Sequence, residues 1–311
     1  MADESIPVVD LSDWEDPKRS SSFIHTLGVG LERFGFVAVA DHGISGELLA
    51  RSYATAAQVF ALGQSVKRQY ETPYDGRQRG YTSFGVEHAK HTFVPDLKEF
   101  WHVGRDLGAS HPLHQSGDVP YNQWPRELPA FEPTFRELFT AFEHFANRLL
   151  SAVERYLDMD AGYFARLTRD GNSVLRLIHY PEMGESSLPG AIRAAAHEDI
   201  NLLTVLPAST RPGLEVMTRD GRWIAVNTPP DVMICDTGDM MALLTANRLP
   251  STTHRVVNPE AADGGRYSMP FFLHPHPDAL LAPLLPGFAR AVTTREFFHE
   301  RLKAIGVEPE S

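Results

Sequence analysis

The sequence predicts a mainly β protein with flanking helices: a double-stranded β-helix (jelly roll) core with helical additions on its N-terminal side. Three observations carry this reading. After Asp170 the chain changes to short apolar runs separated by Gly and Pro, about eight in all, and eight short strands suit a double-sheet jelly roll. Asp220-Gly221, between two of those runs, is a hairpin signal. Before them, Phe135, Leu138, Phe139, Phe142, Ala146, Leu149, Val153 and Tyr156 form one apolar stripe, as on a long helix lying along a sheet.

Taken in order, residues 6–10 read as a short strand. Phe23, Leu27, Leu31 and Phe34 recur at helical spacing over 20–34, Gly35 ends the pattern, and residues 36–39 read as a strand. A second helix is expected over 46–70. Residues 71–123 are rich in Gly, Pro, Tyr and His without clear periodicity, and so long a loop is more often functional than idle. The long helix spans 133–157. The strands then fall at 174–180, 201–206, 214–217, 223–226, 232–235, 240–244, 254–257 and 267–273. A final helix starts at Thr293, capped by Glu296, and buries Phe298, Leu302 and Ile305. The division implied is an N-terminal region with a substrate loop, 1–125, and a jelly-roll region, 126–311, with its barrel at about 170–275, together forming one compact unit.

Composition bounds the function. Of 311 residues, 42% are hydrophobic and 22% charged, an ordinary globular profile with length for a real core. A formal net charge of −11 argues against a nucleic-acid surface, which needs a basic face. Cys235 is the single cysteine, so an intrachain disulfide is impossible and a reducing compartment is the natural expectation. No apolar stretch approaches the ~20 residues of a membrane span, and the acidic N-terminus lacks the order of a secretory signal. These points give a cytoplasmic enzyme with a small-molecule substrate. They leave its oligomeric state open.

The most informative residues are His197-Glu198-Asp199 and, downstream, His254, followed by Arg266-Tyr267-Ser268. Two imidazoles and one carboxylate suit mononuclear iron(II) with coordination positions left free. On a strand His197 and Asp199 would share a face, with Glu198 pointing away. His254 must then come from another strand. Such spacing also arises by chance: His274-Pro275-His276-Pro277-Asp278 is metal-like too, but its prolines suggest an irregular exit loop with packing or surface histidines. His88 and His91 lack a carboxylate companion. Cys235, in an apolar run, reads as a small core residue. No Gly-rich phosphate loop or G-x-S-x-G elbow is present, which leaves nucleotide and serine-hydrolase chemistry unsupported.

The order of short matches resembles the isopenicillin N synthase-like group of iron(II)/2-oxoglutarate-dependent oxygenases. Phe34-Gly35-Phe36, Asp41-His42-Gly43-Ile44, Asp96-Leu97-Lys98-Glu99, the run from Leu175 to Pro181, His197-Glu198-Asp199, Gly213 to Val216, Gly238-Asp239-Met240, Ser251 to Val256 and Arg266 to Phe272 carry the resemblance, over roughly residues 6 to 305. It implies a distorted jelly roll in which His197, Asp199 and His254 hold iron(II). It also implies that Arg266 and Ser268, with Tyr180 alongside, bind the far carboxylate of 2-oxoglutarate, and that decarboxylation of this cosubstrate with O2 is coupled to hydroxylation or desaturation of a small organic molecule. A guanidinium reads a carboxylate through charge-assisted hydrogen bonds, and burying one without an anion is costly.

One departure is Ile178, where many relatives place Asn. Isopenicillin N synthase uses the same Arg-x-Ser pair without 2-oxoglutarate, so an oxidase of that kind is the alternative; a non-catalytic metal-binding sensor is the third. The substrate itself would be chosen by residues off the metal. Candidates are Arg79, Tyr81, Phe84, His91, Phe93 and Trp101 in the 77–105 loop, with Arg176 and Phe272 from the barrel.

Overall fold

The structure, a computed structural model, describes residues 5–87, 96–182, 192–227, 229–259 and 264–304. His88, His91, Phe93 and Ile305 therefore lie outside the described residues. The strands of the two main sheets are β1 (Val8–Asp10), β2 (Phe36–Ala40), β3 (Gly80–Thr82), β4 (Glu99–Gly104), β5 (Val174–Tyr180), β6 (Ala194–His197), β7 (Leu203–Pro207), β8 (Leu214–Met217), β9 (Trp223–Ala225), β10 (Met233–Thr237), β11 (His254–Val256), β12 (Arg266–Ser268) and β13 (Phe271–Leu273). Among the described residues the larger sheet runs β1-β2-β10-β7-β13-β5-β4-β3, with β12 also on β5; the smaller runs β6-β11-β8-β9. Strands from both halves of the chain thus share one sheet.

Alternation divides the larger sheet into two faces. Val37, Val39, Val205, Leu175, Leu177, Phe271, Leu273, Met233 and Cys235 point one way, into the core under the helix Phe131–Tyr156. Phe139 and Phe142 of that helix lie 5.0 and 6.0 Å from the Phe271 ring. Each buried Phe of this stripe is worth roughly 1.5–3 kcal/mol in apolar surface removed from water. The opposite face looks at the smaller sheet. It begins with Phe36, Ala38 and Ile234 packed on Val216, and continues over Phe100, Ile178 and Tyr180 beside Ala194 and Val256. This inner face is where polar groups collect.

Gly35 shows why the helix Ser20–Phe34 must end where it does. It adopts φ +67°, and a Cβ there would stand 2.3 Å from Thr252 Oγ1 and 2.8 Å from the Pro250 carbonyl oxygen. Only glycine permits this close approach of β2 to the segment that leads into His254. No described helix is long and apolar enough to cross a membrane.

Four sequence expectations are corrected. The helix expected over 46–70 breaks into Gly46–Phe60, a short helix Gln64–Lys67 and a final 3-10 turn, the second piece starting at Gly63. The expected loop over 71–123 contains β3 and β4; β4 is buried on both faces, so it has no polar-apolar alternation to read. Residues 240–244 lie in a helix, Asp239–Leu244, because a short apolar run fits either period and Gly238-Asp239 starts it as a helix. The expected strand 267–273 is two strands, parted at Met269-Pro270; Pro270 has no N–H, and its carbonyl accepts from Arg176 N at 2.9 Å. The terminal helix Thr294–Ala304 is capped as expected, Thr293 N donating to Glu296 Oε2 at 2.9 Å, although Phe297 is the more deeply buried aromatic.

Candidate active site

β6 and β11 pair antiparallel with His197 opposite His254, and their rings stand 4.4 Å apart. β6 ends at His197, so Asp199 lies beyond the strand and not on it. A tight turn brings it back: Asp199 O accepts from Asp239 N at 2.8 Å, and Gly238 packs so closely that a Cβ would meet that carbonyl at 2.7 Å. The result is that His197, Asp199 and His254 each offer one ligand atom, all within 4.8 Å of one another. His197 Nε2 and His254 Nε2 lie 3.9 and 3.8 Å from Asp199 Oδ1, near the roughly 3–3.5 Å that bonds of about 2.1 Å to one ion would impose. The Nδ1 atoms of both histidines face backbone carbonyls, those of Ala195 at 2.7 Å and Thr252 at 3.1 Å, which leaves each Nε2 a bare acceptor. Burial and the neighbouring His254 ring push the His197 imidazole down to about 4, so it is neutral at physiological pH. A donor set of two imidazoles and one carboxylate fits iron(II).

The carboxylate is itself oriented. Thr204 Oγ1 donates to Asp199 Oδ2 at 2.5 Å and accepts from Asn201 Nδ2 at 2.9 Å. Asp236, on the same inner face, is pushed well above the usual carboxylate range by burial and by the charge of Asp199. Thr204→Val keeps the shape and removes the hydroxyl. We expect it to weaken iron(II) binding by about 10- to 100-fold without unfolding the barrel, as read by metal titration alongside circular dichroism; unchanged affinity would refute the role of this hydroxyl.

β12 pairs with β5 so that Arg266 stands opposite Tyr180 and Ser268 opposite Ile178. Arg266 is 1% exposed, with its guanidinium 5.1 Å from the centre of the Tyr180 ring. Its Nε donates to Arg211 O at 3.0 Å and its Nη2 to Ser209 Oγ at 2.8 Å, while Nη1 is buried with no hydrogen-bond partner among the described residues. Burial lowers its pKa. A buried cation with one open edge fits an incoming carboxylate.

Further along β5, Arg176 shares the inner face. Its guanidinium lies 4.4 Å over Phe100 and 5.4 Å over Phe272; its Nε donates to His102 Nε2 at 2.7 Å and its Nη1 to Glu87 Oε2 at 3.2 Å. His102 is held neutral by burial and by Arg176, its Nδ1 facing Arg77 O at 2.9 Å. Lys98 pairs with Glu87 at 2.6 Å and Asp96 at 2.8 Å, and Asp96 accepts from Ala195 N of β6 at 3.0 Å.

Of the eight substrate candidates, Arg176 and Phe272 are on this wall. Tyr81 and Trp101 are not: β4 pairs Trp101 with Leu177, which turns both toward the helix core, where Trp101 packs 5.2 Å from Phe131. Arg79 is buried behind β4, donating to Asn172 Oδ1 at 2.6 Å. Phe84 stands 6.5 Å from His179, on the outer face. His91 and Phe93 fall outside the described residues. Glu99 also turns outward, to Lys67, Tyr81 and His179. His274 packs on Phe298, and His276 Nδ1 accepts from Asp278 N, as an exit loop should. Sequence reasoning missed Thr204, Ser209, Phe100 and His102. The Asp96-Leu97-Lys98-Glu99 match marked the strand that carries two of them.

Comparison with known proteins agrees with this geometry. Residues 6–127 match the family described as the N-terminal region of non-haem dioxygenases in morphine synthesis, and residues 171–275 match the 2OG-Fe(II) oxygenase superfamily. A proline hydroxylase of Petromyces alliaceus is 30% identical, over 87% of this chain and 86% of its own length. A 2-oxoglutarate-Fe(II) type oxidoreductase of Emericella nidulans is 29% identical, over 94% and 85%. Among solved structures, a 2OG-Fe(II) oxygenase family protein from Caulobacter crescentus superposes with a TM-score of 0.86 at 37% identity, covering 96% of this chain and 98% of its own. A full-length Neurospora crassa protein, solved in complex with alpha-KG, superposes at 0.83, with 25% identity and 96% and 95% coverage. Both neighbours share the double-stranded β-helix fold with this chain.

Proposed function

Because the chain belongs to the iron(II)/2-oxoglutarate-dependent oxygenases, enzymes that couple decarboxylation of 2-oxoglutarate to oxidation of a small organic substrate, we propose that His197, Asp199 and His254 hold its iron and that Arg266, Ser268 and Tyr180 hold the far carboxylate of 2-oxoglutarate. What supports the first assignment is the convergence of three ligand atoms within 4.8 Å. The unpartnered, buried Nη1 of Arg266 supports the second. Bound iron supplies a redox centre at which O2 and 2-oxoglutarate meet a substrate C–H bond. The rest is done by the chain. Nδ1 contacts to Ala195 and Thr252 fix which nitrogen each imidazole presents, Thr204 fixes the carboxylate, and Phe100, Ile178 and Phe272 supply the apolar part of an otherwise polar inner wall.

We assign substrate selection to Arg176. Its guanidinium is held between Phe100 and Phe272, with Nε on His102 and Nη1 on Glu87. A guanidinium so fixed would take a hydrogen-bond-accepting group, a carboxylate or a carbonyl, of a small molecule through its remaining N–H groups. Cys235, the one cysteine, is a buried free thiol, in keeping with a cytoplasmic enzyme. The oxidase alternative draws no support from relatives named for 2-oxoglutarate. The test is direct: anaerobic addition of 2-oxoglutarate to the iron(II)-loaded protein should produce a visible charge-transfer band, and admission of O2 should release succinate. Absence of both would remove this reading.

A further inference from the structure

A turn between β7 and β8, residues 208–213, grips Arg266 from behind. A guanidinium is planar and offers its five N–H groups on two usable edges. The edge formed by Nε and Nη2 is occupied by Arg211 O at 3.0 Å and Ser209 Oγ at 2.8 Å. Ser209 Oγ in turn donates to Arg211 O at 2.9 Å. Its one proton thus committed, the hydroxyl must offer a lone pair to Arg266, and the three groups close a ring of hydrogen bonds. The turn is anchored independently of Arg266. Tyr53, from the helix Gly46–Phe60, donates through its hydroxyl to Ala208 O at 2.8 Å. Thr210 N donates to Tyr267 O at 3.1 Å, and Tyr267 N donates to Thr210 Oγ1 at 2.9 Å. Arg266 therefore cannot extend or swing without breaking contacts to a turn that is held from two sides.

Resting on the reading of Arg266 as the 2-oxoglutarate clamp, we propose that Ser209 is a positioning residue that fixes the reach of Arg266 and thereby makes the site select a five-carbon 2-oxo diacid over its six-carbon homologue. The remaining edge, Nη1 with Nη2, is set at one depth. A diacid one methylene longer places its carboxylate where that edge cannot follow. Discrimination by a single methylene in a fixed site is worth about 10- to 200-fold. A long, flexible arginine freed from the brace would tolerate both lengths.

The experiment measures dissociation constants of 2-oxoglutarate and 2-oxoadipate by anaerobic titration of the iron(II)-loaded protein, read from the charge-transfer band, for wild type, Ser209→Ala, Ser209→Thr and Tyr53→Phe. Ser209→Ala should weaken 2-oxoglutarate about tenfold, the loss of one hydrogen bond to a charged group. It should weaken 2-oxoadipate much less, so that the ratio of the two collapses, with iron affinity unchanged. Ser209→Thr should restore the ratio, and Tyr53→Phe should lower it in part, which keeps the test intact should Ser209→Ala fold poorly. An unchanged ratio in Ser209→Ala and Tyr53→Phe, or an equal loss for both diacids, overturns the proposal. If Arg266→Ala weakens 2-oxoglutarate while these variants do not, the brace falls and the clamp stands. If wild type itself binds neither diacid, the clamp falls and takes the brace with it.

Discussion

His254→Ala is expected to lose iron(II) and turnover together. Two donors would be left where three converge, and neither His197 nor Asp199 can shift to fill the gap. One is fixed by its Nδ1 contact to Ala195 O, the other by Thr204. Outer hydrogen-bond partners of a metal are worth about 10- to 100-fold in affinity; loss of a direct ligand should exceed the top of that range. The fold should survive, because β11 pairs through its backbone with both β6 and β8, and the exchange removes a ring from an 11% exposed position without disturbing those bonds. The check is metal content after dialysis against a weak chelator, with succinate release measured on the same sample. Full iron retention in this variant would show that the ligand set has been misassigned.

Arg266→Ala should leave iron bound and weaken 2-oxoglutarate by at least about 100-fold. Two charge-assisted bonds to a buried carboxylate are lost, each worth ~1.5–3 kcal/mol. Arg266→Lys should not recover the affinity. An ammonium cannot at once contact Ser209, Arg211 and the diacid, since it lacks the planar fork that serves two edges. Titration of the iron-loaded protein with 2-oxoglutarate reads both variants. An Arg266→Ala protein with wild-type affinity would place the far carboxylate elsewhere.

Alternation made much of the site legible. Arg176, Ile178 and Tyr180 do share a face, as the period of two requires, and the capping pair Thr293 and Glu296 starts the last helix. The same rule, applied to β4 and its partner β3, turns Tyr81 and Trp101 away from the pocket and puts Phe100 and His102 into it. β4 is hard to recognise because its six residues are all buried, so no polar face marks it as a strand. His197 and Asp199 meet, but through a turn closed by Gly238 and Asp239, a contact between distant segments that two-residue spacing does not encode. Thr204 and Ser209 are illegible for a related reason: a hydroxyl acquires its role only from the partner that folding delivers.

The antiparallel register of β5 against β12 and β13 has an evolutionary consequence. Same-side positions on one strand recur about every 6.8 Å, so Tyr180 and Arg176 occupy separate berths on a shared rail. On the roles proposed above, exchanges at 176 and at the facing aromatic rings would change what the pocket admits and leave the Arg266–Tyr180 end untouched. A lineage built on this rail can diversify its chemistry one berth at a time.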